Sequence, residues 1–355
     1  MKIAIVASAR FPVTEPFAGG LEAHTWSLAS GLRARDHEVT VFAAPGSDPR
    51  LEARELDVRV PRISPAARAD VTMTPQGWLE EHHAYLSLML ELGDADLDLD
   101  LVHNNSLHYL PVAMAASLRT PMVTTLHTPP TPWLESAIQA PKRCPVTFAA
   151  VSHHTARAWR HLVPDATVVR NGVDVHRWRK GDGGGPAVWS GRVVPEKGAH
   201  LAAEAAVRAG VALRLAGPLL DDAYFDRQVR PWLGGEVEYV GHLRTDELVA
   251  LVGSASASLV TPCWEEPYGL VVAESLACGT PVAGFARGAL PELVDRRHAR
   301  LVTPGDVGAL ASALTEAVDL DRDAARHHAV STCSLTAMID GYEDLYGVLV
   351  GERAA

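Results

Sequence analysis

Residues 258 to 294 read SLVTPCWEEPYGLVVAESLACGTPVAGFARGALPELV, and this stretch decides the fold. A β-type apolar run at 258 to 261 meets a polar turn broken by proline and glycine, and a helical pattern then begins at Leu270 and stops at Gly279. The first backbone N–H groups of that helix have no intrahelical partner. Together with the helix dipole they form a site for an anion, most often a phosphate.

Two carboxylates accompany this predicted anion site. Glu266 lies in the turn and Glu274 lies one helical turn beyond Leu270, so both can border one cleft. Carboxylates suit hydroxyl groups better than they suit a phosphate alone, because they are strong hydrogen-bond acceptors. The pattern therefore indicates a sugar attached to a nucleotide diphosphate. The competing interpretation is an ordinary βα turn with two solvated carboxylates.

Composition indicates a globular protein of two domains. The chain has 355 residues, of which 47% are hydrophobic and 21% are charged. Its formal net charge of −11 argues against nucleic acid as the main partner. Four scattered cysteines without disulfide or zinc spacing suit a reduced cytosol, and neither a signal peptide nor a membrane-spanning apolar run is evident. We therefore expect a cytoplasmic protein. The paired histidines predict no metal site, because neighbouring side chains point apart.

Short apolar runs alternate with helical patterns along the chain. Those of the first half are IAIVAS, VTVFAA, LDLVHN, MVTTLH, TFAAVS and ATVVRN. Those of the second half are AVWSG, ALRLAG, VEYVG, ASLVTP, PVAGFA and ARLVT. This alternation predicts an α/β fold with two Rossmann-like domains, at 1–175 and 186–333, whose parallel sheets face a central cleft. A charged, glycine-rich linker at 176–185 is expected to pack poorly, and a last helix at 334–355 to pack back on the first domain.

Ligands of open parallel sheets bind at the carboxyl ends of the strands. After the first run, Gly19 and Gly20 stand at a helix start, where they can bring backbone close to a phosphate or simply form a loop. A dinucleotide G-x-G-x-x-G is absent there, which argues against an NAD enzyme. His103 and Asn104 could line an acceptor pocket, or the asparagine could cap a helix. His127 also follows a strand, where a lone histidine is either structural or part of the site.

The second half opens with the string GRVVPEKG at residues 191 to 198. Arg192 and Lys197 flank a predicted strand-to-helix turn. Two cations at such a turn suit a diphosphate. The alternative is a pair of exposed surface cations.

These strings resemble glycosyltransferase family 4. The donor turn EPYG-L, with Glu274 completing E-x7-E before SLACGTPV, is similar to the family's donor signature, and GRVVPEKG is similar to its phosphate clamp. GG-L-E-A-H at 19 to 24 resembles the family's amino-terminal domain. The resemblance covers most of the chain and is strongest from 187 to 294. It implies a GT-B fold with an acceptor-binding first domain and a donor-binding second domain. Tyr268 departs from the family pattern, in which Phe is frequent.

The resemblance also implies a role for each site residue. His127, Arg192, Lys197 and Glu266 are the implied catalytic residues: His127 faces the donor sugar, the two cations stabilise the leaving diphosphate, and Glu266 holds sugar hydroxyls. The implied donor-binding residues are Gly19, Gly20, Arg192, Lys197, His242, Leu243, Glu266, Pro267, Tyr268, Gly269, Leu270 and Glu274. His242 and Leu243 meet the nucleotide base through their backbone, and Glu274 accepts from the ribose hydroxyls.

The function implied is retaining transfer of a sugar from a UDP- or GDP-sugar, with UDP favoured, to a hydroxyl of a small molecule or glycolipid. Because fixed cations and a helix terminus supply the charge, neither a metal nor a cofactor is expected. The rival interpretations are a nucleotide-sugar epimerase and a catalytically silent nucleotide-sugar binding protein. The sequence leaves the sugar, the acceptor, the oligomeric state and peripheral membrane contact open.

Overall fold

A computed structural model describes residues 1–56, 62–94 and 97–354. Within the predicted domains, residues 57–61 and 95–96 lie outside this description, as does the last residue of the predicted 334–355 helix. The described strands form two sheets, one of seven strands and one of six. The predicted α/β fold with two parallel sheets is thereby confirmed.

The first sheet is parallel throughout and has the strand order β3-β2-β1-β4-β5-β6-β7. Its strands are β1 (Lys2–Val6), β2 (Glu38–Ala43), β3 (Arg54–Glu55), β4 (Leu101–Asn104), β5 (Met122–Leu126), β6 (Val146–Ala150) and β7 (Thr167–Val168). The two-residue edge strand β3 has no counterpart among the predicted runs. It is too short to leave a periodic signal.

The second sheet is also parallel, with the order β10-β9-β8-β11-β12-β13. Its strands are β8 (Ala187–Ser190), β9 (Leu213–Ala216), β10 (Val237–Gly241), β11 (Ser258–Val260), β12 (Val282–Phe285) and β13 (Ala299–Val302). Both sheets reverse their strand order beside their first strand, between β1 and β4 and between β8 and β11. Ligands of doubly wound sheets bind at such a switch point, so the loops that follow these four strands are where a site is expected.

Helices cover both faces of each sheet. In the first half they are α1 (Gly20–Arg33), α2 (Pro65–Arg68), α3 (Gln76–Asp94), α4 (Leu110–Ala113), α5 (Pro132–Gln139) and α6 (His153–Trp159). In the second half they are α7 (Ala199–Ala209), α8 (Asp222–Tyr224), α9 (Thr245–Ser254), α10 (Leu270–Ala277), α11 (Leu290–Leu293), α12 (Val307–Ala317), α13 (Arg322–Thr332) and α14 (Leu335–Ala354). Short 3-10 or π turns occupy Pro49–Leu51, Ala115–Ser117, Pro195–Lys197, Phe225–Val229 and Arg230–Trp232.

The last helix belongs to the core of the first sheet. Met338, Ile339 and Tyr342 of α14 are buried in one cluster with Ile3 and Leu28. The chain therefore returns to its amino-terminal half after completing the second sheet. This return buries the polar side of β4, as described below for His103.

The glycine-rich linker packs closely, contrary to the prediction. A Cβ on Gly181 would come within 2.3 Å of the Gly253 carbonyl oxygen, so the two backbones touch. Trp178 is buried, and Arg326 donates to its carbonyl oxygen at 2.6 Å. The glycines of the linker allow two backbones to approach closely. The composition of the linker does not distinguish this role from flexibility.

Candidate functional site

Two adjoining cavities lie in the cleft between the sheets, at the switch points of both. They share a waist lined by Gly19, Gly20, Ser190, Gly191, Leu270 and Val271. One cavity contains Glu274, His242 and Leu243, and the other contains His127, Arg192, Lys197 and the Glu266 turn. The structure thus brings all the predicted donor residues to one cleft. Only the predicted acceptor residues lie elsewhere.

The wall of this cleft formed by residues 191 to 198 and 261 to 270, called here the second-sheet wall, carries an ion pair. Lys197 Nζ lies 2.6 Å from Glu266 Oε2. The indole Nε1 of Trp264 donates to the same oxygen at 2.9 Å, and Lys197 Nζ stands 5.2 Å from the centre of the Trp264 ring. The pair is held rigidly because three groups fix one another. Among the described residues, Glu266 Oε1 makes no hydrogen bond, which leaves it to a ligand.

Arg192 stands beside this pair at the waist. Its nearest carboxylate is Glu196, 3.8 Å away, in a loose ion pair. The Arg192 side chain is about one-third exposed, at 33%, and faces the Gly19 backbone across the cleft. Arg192 is therefore paired more weakly than Lys197. A diphosphate bound at the waist could therefore pair with the Arg192 guanidinium without breaking a strong existing ion pair.

The Glu266 turn is anchored from three sides. Ser152 and Thr155, at the start of α6, donate to the Pro267 carbonyl oxygen at 2.6 and 3.1 Å. Tyr268 OH donates to the Asn171 carbonyl oxygen at 2.5 Å. Beneath the turn, a Cβ on Gly288 would come within 2.2 Å of the Glu266 carbonyl oxygen, so only glycine fits there. The hydroxyl of Tyr268, absent from the more frequent Phe, ties the donor turn to the end of the first sheet.

Helix α10 begins at Leu270, as the sequence predicts, and Gly269 precedes it with a φ of 95°. The left-handed conformation of Gly269 turns the chain so that the helix amino terminus opens on both cavities. No side chain caps this end among the described residues. The free N–H groups and the dipole of α10 therefore point into the waist beside Arg192.

The opposite wall, called here the first-sheet wall, is formed by Gly19, Gly20, Glu22 and His127. Gly19 is extended and precedes α1, and a Cβ there would approach Glu22 Oε2 to 3.3 Å and Arg192 Cδ to 3.7 Å. Its missing side chain keeps the waist open. Burial raises the pKa of Glu22, with the charge of Arg192 opposing that rise. Burial thus disfavours the charged form of this carboxyl group, and Arg192 across the waist favours it.

His127 reaches the cleft from the end of β5. Its Nε2 lies 2.8 Å from Asn105 Oδ1, and the buried ring of His24 meets it edge-on at 4.9 Å. Burial, with smaller contributions from His24 and His103, lowers the pKa of His127 well below its usual value. At neutral pH the imidazole is uncharged. With Nε2–H donating to Asn105, its other nitrogen can only accept a hydrogen bond.

Glu274 lies in the other cavity, one helical turn from the waist. Burial raises the pKa of Glu274 to about 8, so at neutral pH the empty site holds a neutral carboxyl group. Phe17 and Trp26 of the first half line the same cavity, and His242 Nε2 donates to the Phe17 carbonyl oxygen at 2.9 Å across the cleft. Glu274 was predicted only to accept hydrogen bonds, but in its neutral form its carboxyl group can also donate one.

The prediction that His103 and Asn104 line an acceptor pocket is wrong. Both residues are fully buried in β4. His103 is bonded to Tyr346 of α14 at 2.6 Å and to Thr125 at 2.8 Å, while Asn104 binds Ser106 and Thr124. The returning helix α14 covers this end of the sheet, and its tyrosines satisfy the polar side chain that the sequence presented as free.

Several site residues were missed because they lack a local motif. Glu22 lies within the quoted GG-L-E-A-H string, so its position was available. Trp264 precedes the donor signature and its role depends on Lys197, which is distant in sequence. Asn105 and Trp26 gain their roles only from the fold.

Comparison with known proteins matches both halves of the chain to glycosyltransferase families. The family model for Glycosyltransferase Family 4 matches residues 18–177, and that for Glycosyl transferases group 1 matches residues 186–319. The chain is 28% identical to a glycogen synthase of Mycobacterium tuberculosis, over 91% of this chain and 88% of that protein.

Solved structures agree over the whole length. AviGT4, a glycosyltransferase involved in avilamycin A biosynthesis, is 26% identical, with a TM-score of 0.72 over 99% of this chain and 98% of that one. Anabaena Alr3699/HepE in complex with UDP-glucose shares the fold, with 20% identity and a TM-score of 0.75 over 97% of this chain and 99% of that one. Within the described residues, no helix is long and apolar enough to cross a membrane.

Proposed function

We propose that this chain, which is a glycosyltransferase of the family 4 type with a GT-B fold, transfers a sugar from a UDP- or GDP-sugar to a hydroxyl acceptor. The transfer retains the anomeric configuration and needs no divalent metal. The observation that carries the proposal is the waist of the cleft. Arg192 and the Lys197–Glu266 pair line the His127 cavity next to this waist, and the amino terminus of α10 opens on the same space opposite Gly19.

The waist suits a leaving diphosphate. Two cations and unpaired helix N–H groups face the same volume, so negative charge that develops as the glycosidic bond breaks meets fixed positive charge. The Lys197–Glu266 pair adds a second function, because Glu266 Oε1 lies next to the cation and can receive a sugar hydroxyl. This charge stabilisation comes from the chain itself, which supports a reaction that needs no metal.

The two cavities then accommodate the two ends of the donor. Glu274 and the aromatic residues Phe17 and Trp26 suit the ribose and base, while His127 and Glu266 suit the sugar. Anabaena Alr3699/HepE, of the same fold, has been crystallised with UDP-glucose, which supports a uridine donor without specifying it. His127, being uncharged, orients the sugar through a hydrogen bond.

An aromatic row supports a carbohydrate acceptor. Four rings of the first half, called here the aromatic row, contact one another: Trp78 stacks on His82 and Tyr109 stacks on Trp133, while the two pairs are tilted against each other. Trp133 is 59% exposed. The row borders the cleft through Arg10, which lines the His127 cavity and is bonded to Glu81, between Trp78 and His82 in sequence. Exposed aromatic faces suit the apolar faces of sugar rings.

The test is a screen of nucleotide sugars by thermal shift, followed by turnover of each donor that binds, with and without a panel of glycosides. We expect a UDP- or GDP-sugar to bind, transfer only with an acceptor present, and an α-linked donor to give an α-linked product by NMR. His127→Ala should still bind the donor but turn it over slowly. Conversion of the donor into its epimer without an acceptor would favour the epimerase. Binding without any turnover would favour a silent binding protein.

A further inference from the structure

A cluster of metal-ligating side chains lies away from the cleft, where the loop after α11 meets α13. It contains Asp295, His298 and His328, whose potential ligand atoms all lie within 4.8 Å of one another. Among the described residues, no other group of three such side chains is so close. The cluster takes no part in the proposed transfer reaction.

The unusual member is His298. Its side chain is 1% exposed, and neither ring nitrogen has a hydrogen-bond partner among the described residues. A buried imidazole without partners loses its hydration and gains nothing in return, so such a group calls for a water or an ion. Asp295 Oδ1 lies 3.5 Å from His298 Nε2, which is long for a hydrogen bond.

That spacing is close to the separation of two ligands on one metal ion. Nitrogen and oxygen atoms bound tetrahedrally to zinc at about 2.0 to 2.1 Å are roughly 3.4 Å apart. The ring of His328 is centred 4.4 Å from that of His298, near enough for a small side-chain rotation to bring it to the same ion.

His328 is also oriented as a metal ligand usually is. Its Nε2–H donates to the Leu293 carbonyl oxygen at 2.8 Å, which fixes the tautomer and leaves the lone pair on Nδ1. Histidine ligands commonly donate their other N–H to a backbone carbonyl in this way. Asp295 is in turn held by Arg297, whose backbone N–H donates to Oδ1 at 2.8 Å and whose guanidinium donates to both carboxylate oxygens, so that an ion on Oδ1 would replace the long guanidinium contact of 3.2 Å.

We propose that Asp295, His298 and His328 bind one divalent transition-metal ion, with zinc the best match to two imidazoles and a carboxylate. Asp295 is 42% exposed and provides the path of entry, and water completes the coordination. The ion joins α13 to the loop after α11. Glu292 of α11 accepts from the His153 backbone N–H and from Arg157 of α6, so the ion stabilises the helix that contacts the first half of the chain.

The experiment uses the full chain, stripped with chelator and titrated with cobalt(II), followed by visible absorption, and with zinc by calorimetry. We expect one ion per chain, an absorption spectrum of low-coordinate cobalt with nitrogen ligands, and a higher Tm with zinc. His328→Gln and Asp295→Asn should each weaken binding at least about 100-fold, because loss of an outer partner alone costs roughly 10- to 100-fold.

The matched control is His327→Gln, the exposed neighbour of His328 on the same helix. It should bind zinc like the wild type. The proposal is overturned if stripped wild type binds neither ion, or if His328→Gln and Asp295→Asn bind as tightly as His327→Gln. Donor turnover by a folded, metal-free His328→Gln should remain at the wild-type level, since the ion is structural; a loss of turnover would overturn that part.

Discussion

The two walls of the cleft differ in how their residues come together. The second-sheet wall takes Arg192, Lys197, Glu266 and the start of α10 from two short strings of sequence. The first-sheet wall takes Glu22 from α1, His127 from the end of β5 and Asn105 from the end of β4. One wall carries two cations and is encoded by residues close in sequence, whereas the other carries no cation among its named residues and is assembled by the fold from separate strands and helices. The difference suggests a division of labour in which the second-sheet wall holds the leaving group and the first-sheet wall receives the acceptor.

The largest effect is expected at the second-sheet wall. Lys197→Ala removes one charge-assisted donor and leaves Glu266 without its partner, at a cost of about 3 kcal/mol in the transition state, or roughly a hundredfold in kcat/KM. Lys142→Ala, at an exposed lysine, is the control. Steady-state kinetics with the best donor measures the effect. An unchanged kcat/KM in Lys197→Ala would remove the second-sheet wall from the mechanism.

Replacing UDP with 2′-deoxy-UDP tests the cavity next to the second-sheet wall, where Glu274 lies one helical turn into α10. The missing hydroxyl leaves a largely buried Glu274 without a partner, at about 1.5 to 3 kcal/mol, or roughly 10- to 150-fold in affinity. Calorimetry on wild type and Glu274→Gln measures the preference. If the wild type binds both nucleotides equally, Glu274 does not recognise the ribose and deoxythymidine donors return as candidates.

A smaller and more selective effect is expected at the first-sheet wall. Trp133→Ala removes the most exposed ring of the aromatic row, and loss of one stacked aromatic contact costs about 1 kcal/mol, or roughly fivefold. The acceptor KM should rise while the donor KM stays constant. Two-substrate kinetics with the glycoside found by the screen separates the two constants. An equal change in both would contradict the division of labour.

The last effect concerns stability and its dependence on pH, and it leaves transfer itself aside. The pKa of Glu274 is about 8 in the folded chain, against an ordinary value of 4.5, so between these limits the folded state holds one proton more than the unfolded state. Stability then falls as pH rises, by up to about 1.4 kcal/mol per pH unit from this group. Glu274→Gln removes that slope, so its stability relative to wild type should grow from pH 5 to pH 8 by roughly 3 kcal/mol. Urea unfolding at several pH values measures this, and parallel curves would contradict the burial of a neutral Glu274.

The same contrast explains what the sequence could and could not predict. The sequence predicted most of the strands, the start of α10 and the two cations of GRVVPEKG. These features could be predicted because a strand-to-helix turn places residues that are neighbours in sequence at the same end of a strand. His103 was misassigned because its polar side chain is satisfied by Tyr346, 243 residues away. Trp264 was missed because its contact with Lys197 joins the loops after β8 and β11. The close packing of the linker was not predicted, because a glycine that lets two backbones touch, such as Gly181, cannot be distinguished by composition from a glycine that makes a segment flexible.

The central claim is that fixed charge from the second-sheet wall replaces a divalent metal in transfer. Its most direct test is the rate of nucleotide diphosphate release during transfer by stripped enzyme in excess EDTA, measured for wild type and Lys197→Ala, with folded His328→Gln to exclude an effect of structural zinc. The account predicts that EDTA leaves the wild-type rate unchanged, while Lys197→Ala stays roughly a hundredfold slower with or without magnesium. A wild-type rate that collapses in EDTA and returns with magnesium or manganese would contradict it.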